Sequence, residues 1–477
     1  MKKSLLWLLI VVMVVSMIAT FSLAGCKKTE VAATTAAAET TAAAAETTAA
    51  AAETTGAPAE KVPELGTESL TYWVDKAGLK PSGELTLYSY KEEGVSEWQI
   101  AQKFMEAYPD VKVNWVTINW SDMIGTIATE VQTGTERFDM FWCDDIWLGV
   151  TQQYLEDVSD RIPEELKNDI PKQIAAGTAY KGTWHGLPLQ AGTYGVNYNK
   201  DLLEQAGYDK PPETWDEFFK AAEKLTIDEN SDGKPEKYGF TATAGAWSYF
   251  VLFDFIVRST GSEFWNQDSQ NPQLAFNNEH GIRALQIMKK LFRSNFSDPG
   301  MADATDTVTL ARTSIASGQS AMMIEALGPI DGIAKKSFPE NVGKFGYSAM
   351  PSDPEGLPGA FVSPVGFVIR KGGNVEAALA FDLFYMSPEM QKFHTAEYGF
   401  PGTRSSLVKD EEYLKEFPFV KTSLELSEGE VAGYKEGNQA ILMDLFFPIF
   451  EQFINSQTTE EETLSKMEDA FKAGWEQ

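Results

Sequence analysis

From Glu84 the chain reads ELTLYSY, apolar residues alternating with polar ones, and this spacing predicts a strand. In the following SEWQIAQKFMEAYPD, residues Ile100, Ala101, Phe104, Met105 and Tyr108 recur at helical intervals. VKVNWVTI predicts a second strand, MIGTIATEVQTG a second helix, and DMFWCDD a short strand that ends in two acids. Alternation of this kind predicts a doubly wound α/β lobe, whose ligands lie beyond the carboxyl ends of the strands. Tyr90 to Glu93, Trp120 and Asp144 to Trp147 are thereby expected around one crevice.

Further along, HGLPLQ and YGVNYN predict two strand pieces, followed by a helix from Asp201 that stops at Gly207. Thr214, with Glu217 three residues on, has the pattern of a capping box for WDEFFKAAEKL. Long helices then dominate until FVSPVGFVIRKGG, and the C-terminal end is helical. Before Glu84 the pattern is different. ETTAAAA recurs from Glu39, Glu46 and Glu53, but Ala and Thr cannot build the apolar seam of a coiled coil. Residues 27–60 therefore read as a flexible, partly helical tether.

At the start, Lys2 and Lys3 precede the uncharged run LLWLLIVVMVVSMIATFSL, the layout of a secretory signal. The LAGC that follows resembles the bacterial lipoprotein box. That resemblance implies cleavage before Cys26 and acylation of its thiol, so that residues 1–25 are a signal peptide and residues 26–80 a tether held on the membrane by two or three acyl chains. The 477-residue chain carries a formal net charge of −29, which disfavours nucleic acid as a partner. Cys143 is then the one cysteine of the mature chain and lies in the apolar MFWC, the setting of a buried thiol. With only His185, His280 and His394 beside it, neither a transition-metal cluster nor a Cys/His nucleophile is expected, and no cofactor is implied. Asp228, Asn230 and Asp232, followed by Gly233, match the first half of a calcium loop, but Gly239 stands where a bidentate glutamate is needed. A solvated turn is the expectation there, with calcium as the alternative.

GTWHGLPL followed by VNYNKDLLEQAGYDKPPETWDEFFKAAEKL, then SIASGQSAMMIEALGPI, GAFVSPVGFVI and FYMSPEMQKFHTAEYGFPGTRSSL occur in one order along the chain. Together they resemble the extracellular solute-binding proteins of the carbohydrate-uptake ABC transporters, the maltose-binding-protein-like family. The resemblance implies an α/β, two-lobed fold of the type II periplasmic-binding-protein kind, with lobes joined by two or three hinge crossings. Residues 81–190 plus 365–405 would form the N-terminal lobe and 195–362 plus 406–477 the C-terminal lobe. Gly192, Gly195 and Gly366 fall at the crossings, where backbone rotation is absorbed. A carbohydrate ligand, ABC permease subunits and, through the lipid, the membrane are the implied partners of a monomer at the cell surface.

A sugar offers apolar C–H faces and a rim of hydroxyls, so its site needs flat aromatic rings and fixed hydrogen-bonding groups. The strand ends supply Tyr90, Glu92, Trp120, Asp144 and Asp145, while Trp142, inside its strand, reads as core. Gln190 and Tyr194 lie near the first crossing, and Glu325 follows AMMI at a strand end. The resemblance adds Trp247, Tyr249 and Arg404 as ligand contacts, and Tyr434 in AGYKEG is a further candidate. The resemblance also exposes a departure, since Ile330 stands where many relatives carry tryptophan after Gly-Pro. Two other classes stay open at this level. One is a receptor or sensor for a non-sugar solute on the same fold. The other is a secreted glycoside hydrolase, although Asp144 and Asp145, if both on a strand, would point to opposite faces and could not flank one bond.

Overall fold

The structure is a computed structural model that describes residues 68–91, 95–266, 273–301, 307–357, 361–428 and 439–475. The leader, Cys26 and the tether as far as residue 67 lie outside the described residues, as do Glu92 and Tyr434. A short helix, α1 (Tyr72–Lys76), leads into β1 (Gly83–Ser89), α2 (Ser96–Ala107), β2 (Val111–Thr117), α3 (Trp120–Thr133), β3 (Met140–Asp144) and α4 (Asp145–Thr151). β1 pairs in parallel with β2 on one side and β3 on the other, as the alternation of strands with helices predicts. The apolar side chains of α2 found by spacing are inward: Ile100, Ala101 and Phe104 are fully or almost fully buried.

HGLPLQ and YGVNYN are not two strands but one, β4 (Gly186–Asn199). Small residues Ala191 and Gly192 let the ladder run on between the two pieces. After β4 come α5 (Trp215–Leu225), β5 (Tyr238–Ala242), α6 (Ala246–Ser259), α7 (Thr307–Ala316), β6 (Ser320–Ala326), β7 (Phe345–Ser348) and β8 (Phe361–Ile369). The capping box forms at Thr214, whose hydroxyl accepts from the Glu217 amide while the Glu217 carboxylate reaches back. Helices α8 (Val375–Tyr385), α9 (Pro388–Tyr398), α10 (Phe419–Glu428) and α11 (Gln439–Ile454) follow.

The strands run in the order β2-β1-β3-β8-β4-β6-β5, with β7 also paired to β4. β8 and β4 are antiparallel along their length, from Phe361 opposite Tyr194 to Val368 opposite Gly186. The end of β8 pairs with β3, while the end of β4 pairs with β6 and β7. Two long strands therefore carry the chain between two α/β halves, one built on β1–β3 and the other on β5–β7.

The three glycines at these strands have different neighbours. A Cβ on Gly366 would lie 2.3 Å from Thr178 Cγ2 and 2.5 Å from the Leu187 carbonyl, at a register shift between Val365 and Gly366. One on Gly195 would lie 2.4 Å from the Ser348 carbonyl, whereas on Gly192 the nearest atom is 3.5 Å away. Gly366→Ala is expected to lower unfolding free energy by roughly 1–3 kcal/mol through overpacking, and Gly192→Ala to leave it within about 0.5 kcal/mol, in urea denaturation. Equal losses at the two positions would contradict this packing account.

Candidate functional site

A file of aromatic rings runs from the first half to the second. Tyr90, just beyond β1, meets Trp142 edge-on with centroids 4.6 Å apart. Trp142 lies 5.9 Å from Trp147 on α4, and Trp147 lies 5.1 Å from Trp120 at the start of α3. Trp120 then reaches across to Trp247 of α6 at 6.5 Å. The Trp247 indole N–H donates to the Tyr194 hydroxyl at 3.3 Å, tying the second half to the crossing strand β4. Under Tyr194 the remaining space is only about 20 Å³, bounded by Ser248 and Met350 among others.

Polar groups stand behind these rings. The Lys91 ammonium ion-pairs with Glu97, approaches Gln190 Oε1 at 3.5 Å and sits 3.4 Å from the Tyr398 ring centre. Burial would raise the Glu97 carboxyl, but the Lys91 charge acting together with hydrogen bonds from Lys91 and the backbone outweighs it and leaves Glu97 below the usual carboxylate range. His394 Nε2 lies 3.2 Å from the same Gln190 oxygen, and its Nδ1 lies 2.5 Å from the Tyr385 hydroxyl. A neutral ring that donates from Nε2 and accepts at Nδ1 satisfies both contacts, and burial accordingly drives His394 down to about 4. In the second half, Arg312 of α7 grips Glu325 at the end of β6 with two bonds of 2.8 and 2.9 Å.

The two acids after β3 are arranged differently. Asp144 ends the strand and accepts from the Trp120 indole N–H at 3.3 Å, while Asp145 is the first residue of α4. The expectation that both lie on one strand and face opposite ways is thus corrected: the turn into α4 brings the two carboxyls into interaction. Both side chains are buried, and Asp144 Oδ1, Asp145 Oδ1 and Trp142 Nε1 have no hydrogen-bond partner. Burial raises Asp144, and burial together with the Asp144 charge raises Asp145 well above the ordinary aspartate range. Next to Asp145 opens a cavity of about 650 Å³ walled by Leu148, Ile170, Tyr180 and Trp184, with Lys172 at its edge.

Of the residues expected from sequence, Tyr90, Trp120, Asp144, Asp145, Gln190, Tyr194, Trp247 and Glu325 fall in or against this assembly. Trp142, expected as core, is a member of the ring file although almost fully buried. Tyr249 is elsewhere: it packs on Phe292, Phe447 and Phe450, because two residues along a helix from Trp247 it turns to the other side. Arg404 is corrected from a cleft residue to an interior one. It is fully buried, bonded twice to Glu68 at 2.8 Å, to Asp169 at 2.7 Å and to the Met386 carbonyl at 2.9 Å. Asp228, Asn230 and Asp232 turn their carbonyl and carboxylate oxygens onto amides of their own loop, at Asp232, Gly233 and Lys234. Cys143 is buried, which pushes its thiol up, and Ile330 is buried in a small apolar cluster. Arg312, His394 and Tyr398 were not anticipated, since a cation on a polar helix and two rings in a helical run carry no local sign of their neighbours.

Two substitutions test these environments. Asp145 stays protonated in the fold at pH values where the unfolded chain has released the proton, so its contribution to stability declines as pH rises above about 4. Asp145→Asn removes that decline, and should be more stable than the parent at pH 7.5 by on the order of 1 kcal/mol, the gain fading toward pH 4. A variant that is less stable than the parent at pH 7.5 contradicts the reading. Arg404→Met leaves Glu68 and Asp169 buried without their cation, and urea denaturation should show a loss of about 3–5 kcal/mol. A loss under about 1 kcal/mol would mean that the cluster is open to water.

Comparison with known proteins agrees with this architecture. The family model described as bacterial extracellular solute-binding protein matches residues 88–392. A putative binding protein of Brucella abortus is 24% identical over 336 residues, 69% of this chain and 78% of that protein. A mannitol-binding protein of Pseudomonas aeruginosa is 23% identical over 337 residues, 69% of this chain and 74% of that one. Among solved structures, maltose-bound MalE3 of T. maritima superposes with a TM-score of 0.71 at 20% identity, covering 82% of this chain and 99% of that one, which establishes the two-lobed type II fold. Among the described residues, no helix is long and apolar enough to cross a membrane. The chain belongs to the bacterial extracellular solute-binding proteins, a family of receptors and not of enzymes.

Proposed function

We propose that this protein captures a carbohydrate or polyol between its two lobes and passes it to the permease of an ABC transporter, while Cys26 holds it on the outer face of the membrane by its lipid. The observation that carries the reading is the ring file, in which Trp120 and Trp247 come from different lobes and meet at 6.5 Å with buried, unpartnered carboxyl oxygens close behind. Flat faces take the C–H surfaces of a sugar ring, and the carboxyls take its hydroxyls. The Pseudomonas relative is named for mannitol and the T. maritima structure for maltose, which supports a polyhydroxylated ligand here. The cavity beside Asp145, about 650 Å³, has the usual size of a small-molecule site but is lined by residues 145–184 of the first half alone, so the interlobe reading rests on the ring file and not on that cavity.

Ligand that bridges the lobes favours the form in which both touch it, and that population is what a permease would read. The hinge role of Gly192, Gly195 and Gly366 and the domain boundaries near residues 190, 195, 365 and 405 belong to this proposal. Cleavage after Gly25 and acylation of Cys26 are checked by mass spectrometry of the membrane-extracted protein. A thermal-shift panel of monosaccharides, polyols and oligosaccharides is expected to give at least one ligand with saturable stabilisation that follows RT ln(1 + [L]/Kd). For that ligand Trp120→Ala and Trp247→Ala should each weaken binding by about 1–3 kcal/mol in calorimetry, by analogy with bases stacked on aromatic rings. Full affinity in both folded variants would remove the ring file from the site.

A further inference from the structure

The charges around the ring file form a ledger. Lys91 is matched by Glu97, and Arg312 is matched by Glu325 through two bonds. His394, held down to about 4, is neutral at physiological pH. The remaining carboxyl groups, Asp144 and Asp145, have no ion-pair partner among the described residues; with Asp145 protonated beside the Asp144 charge the pair carries one negative charge, and each keeps one buried oxygen unsatisfied. Lys172 and Lys181 on the cavity border are exposed, where water and salt screen them. Among the described residues the inner wall therefore presents the uncompensated carboxylate of Asp144, and offers no uncommitted buried cation to an anion.

We propose that the site discriminates by charge, admitting uncharged or amine-bearing sugars and polyols and excluding their phosphorylated and carboxylated forms. This rests on the reading of the interlobe gap as a saccharide site. A hydroxyl or ammonium of the ligand donates to Asp144 Oδ1 or Asp145 Oδ1 and satisfies an atom that is otherwise left bare. A phosphate or carboxylate in the same place brings like charge against the buried Asp144 carboxylate and cannot donate to it. To bind, it would have to pull Lys91 from Glu97 or Arg312 from Glu325, leaving a buried carboxylate alone.

The experiment is calorimetry on the intact protein with matched probes: D-mannitol against mannitol 1-phosphate, D-glucose against glucosamine, glucuronate and glucose 6-phosphate, and maltotriose against maltotrionate. For each uncharged probe that binds, the anionic partner is expected to bind at least roughly 30-fold more weakly, with the amine-bearing form no weaker than the uncharged one. The Asp144→Asn, Asp145→Asn double variant, checked for folding by circular dichroism, should shrink that ratio to within a few-fold while weakening the uncharged probe less than the ratio changes. An anionic partner that binds within threefold of its uncharged form overturns the charge inference and leaves the saccharide site standing. So does an unchanged ratio in the folded double variant. Tight binding of anionic probes alone, or of none of the probes, overturns the saccharide site and this inference with it.

Discussion

The antiparallel pairing of β4 with β8 is the constraint on which everything else depends. These strands stay paired from Phe361 opposite Tyr194 to Val368 opposite Gly186, and each continues into a different half of the sheet. Their shared backbone ladder fixes where the halves meet and which residues face each other there. Gln190 and Tyr194 stand on the pair itself, so the hydrogen bonds from His394 to one and from Trp247 to the other are set by strand register, not by loop conformation. Glycines stand where these strands and their neighbours approach closely, with Gly366 against Leu187 and Gly195 against Ser348.

Two groups of buried charge have opposite meanings in this frame. Arg404, Glu68 and Asp169 form a closed set in which every guanidinium nitrogen has an oxygen, and Asp169 also takes the Ser406 amide and hydroxyl. Such a set specifies structure: it fastens the segment entering the fold at Glu68 to the segment around residues 403–406. Asp144 and Asp145 form an open set, with burial but no cation and with two oxygens bare. Burying a carboxyl without compensation costs stability, and its retention makes sense where an incoming molecule completes it.

How much of this was legible in the sequence follows from how local each signal is. β1, α2, β2 and β3 were readable because their apolar periodicity concerns only immediate neighbours, and the Thr214–Glu217 cap spans three residues. The aromatic and acidic members of the gap were legible because strand ends can be located and α/β sheets bind at those ends. Arg404 was not, since its partner Glu68 lies 336 residues earlier and the motif around it looks like a loop. Tyr249 was misplaced because the resemblance gave it together with Trp247 without the element that carries them both. Once α6 is seen to begin at Ala246, residues two apart must diverge. Asp145 was assigned to the wrong element for a similar reason, the change from strand to helix falling between two identical residues. Arg312 and His394 act through long-range partners, which no periodicity encodes.

The account stands or falls on where a saccharide sits. The most direct measurement is a crystal structure of the protein with a sugar or polyol shown to stabilise it in solution. The account predicts the ligand between the Trp120 and Trp247 rings, which move apart to admit it, with ligand hydroxyls within hydrogen-bonding distance of Asp144 and Asp145. A ligand bound elsewhere, with those two rings still in mutual contact and both carboxyl oxygens still bare, would contradict it.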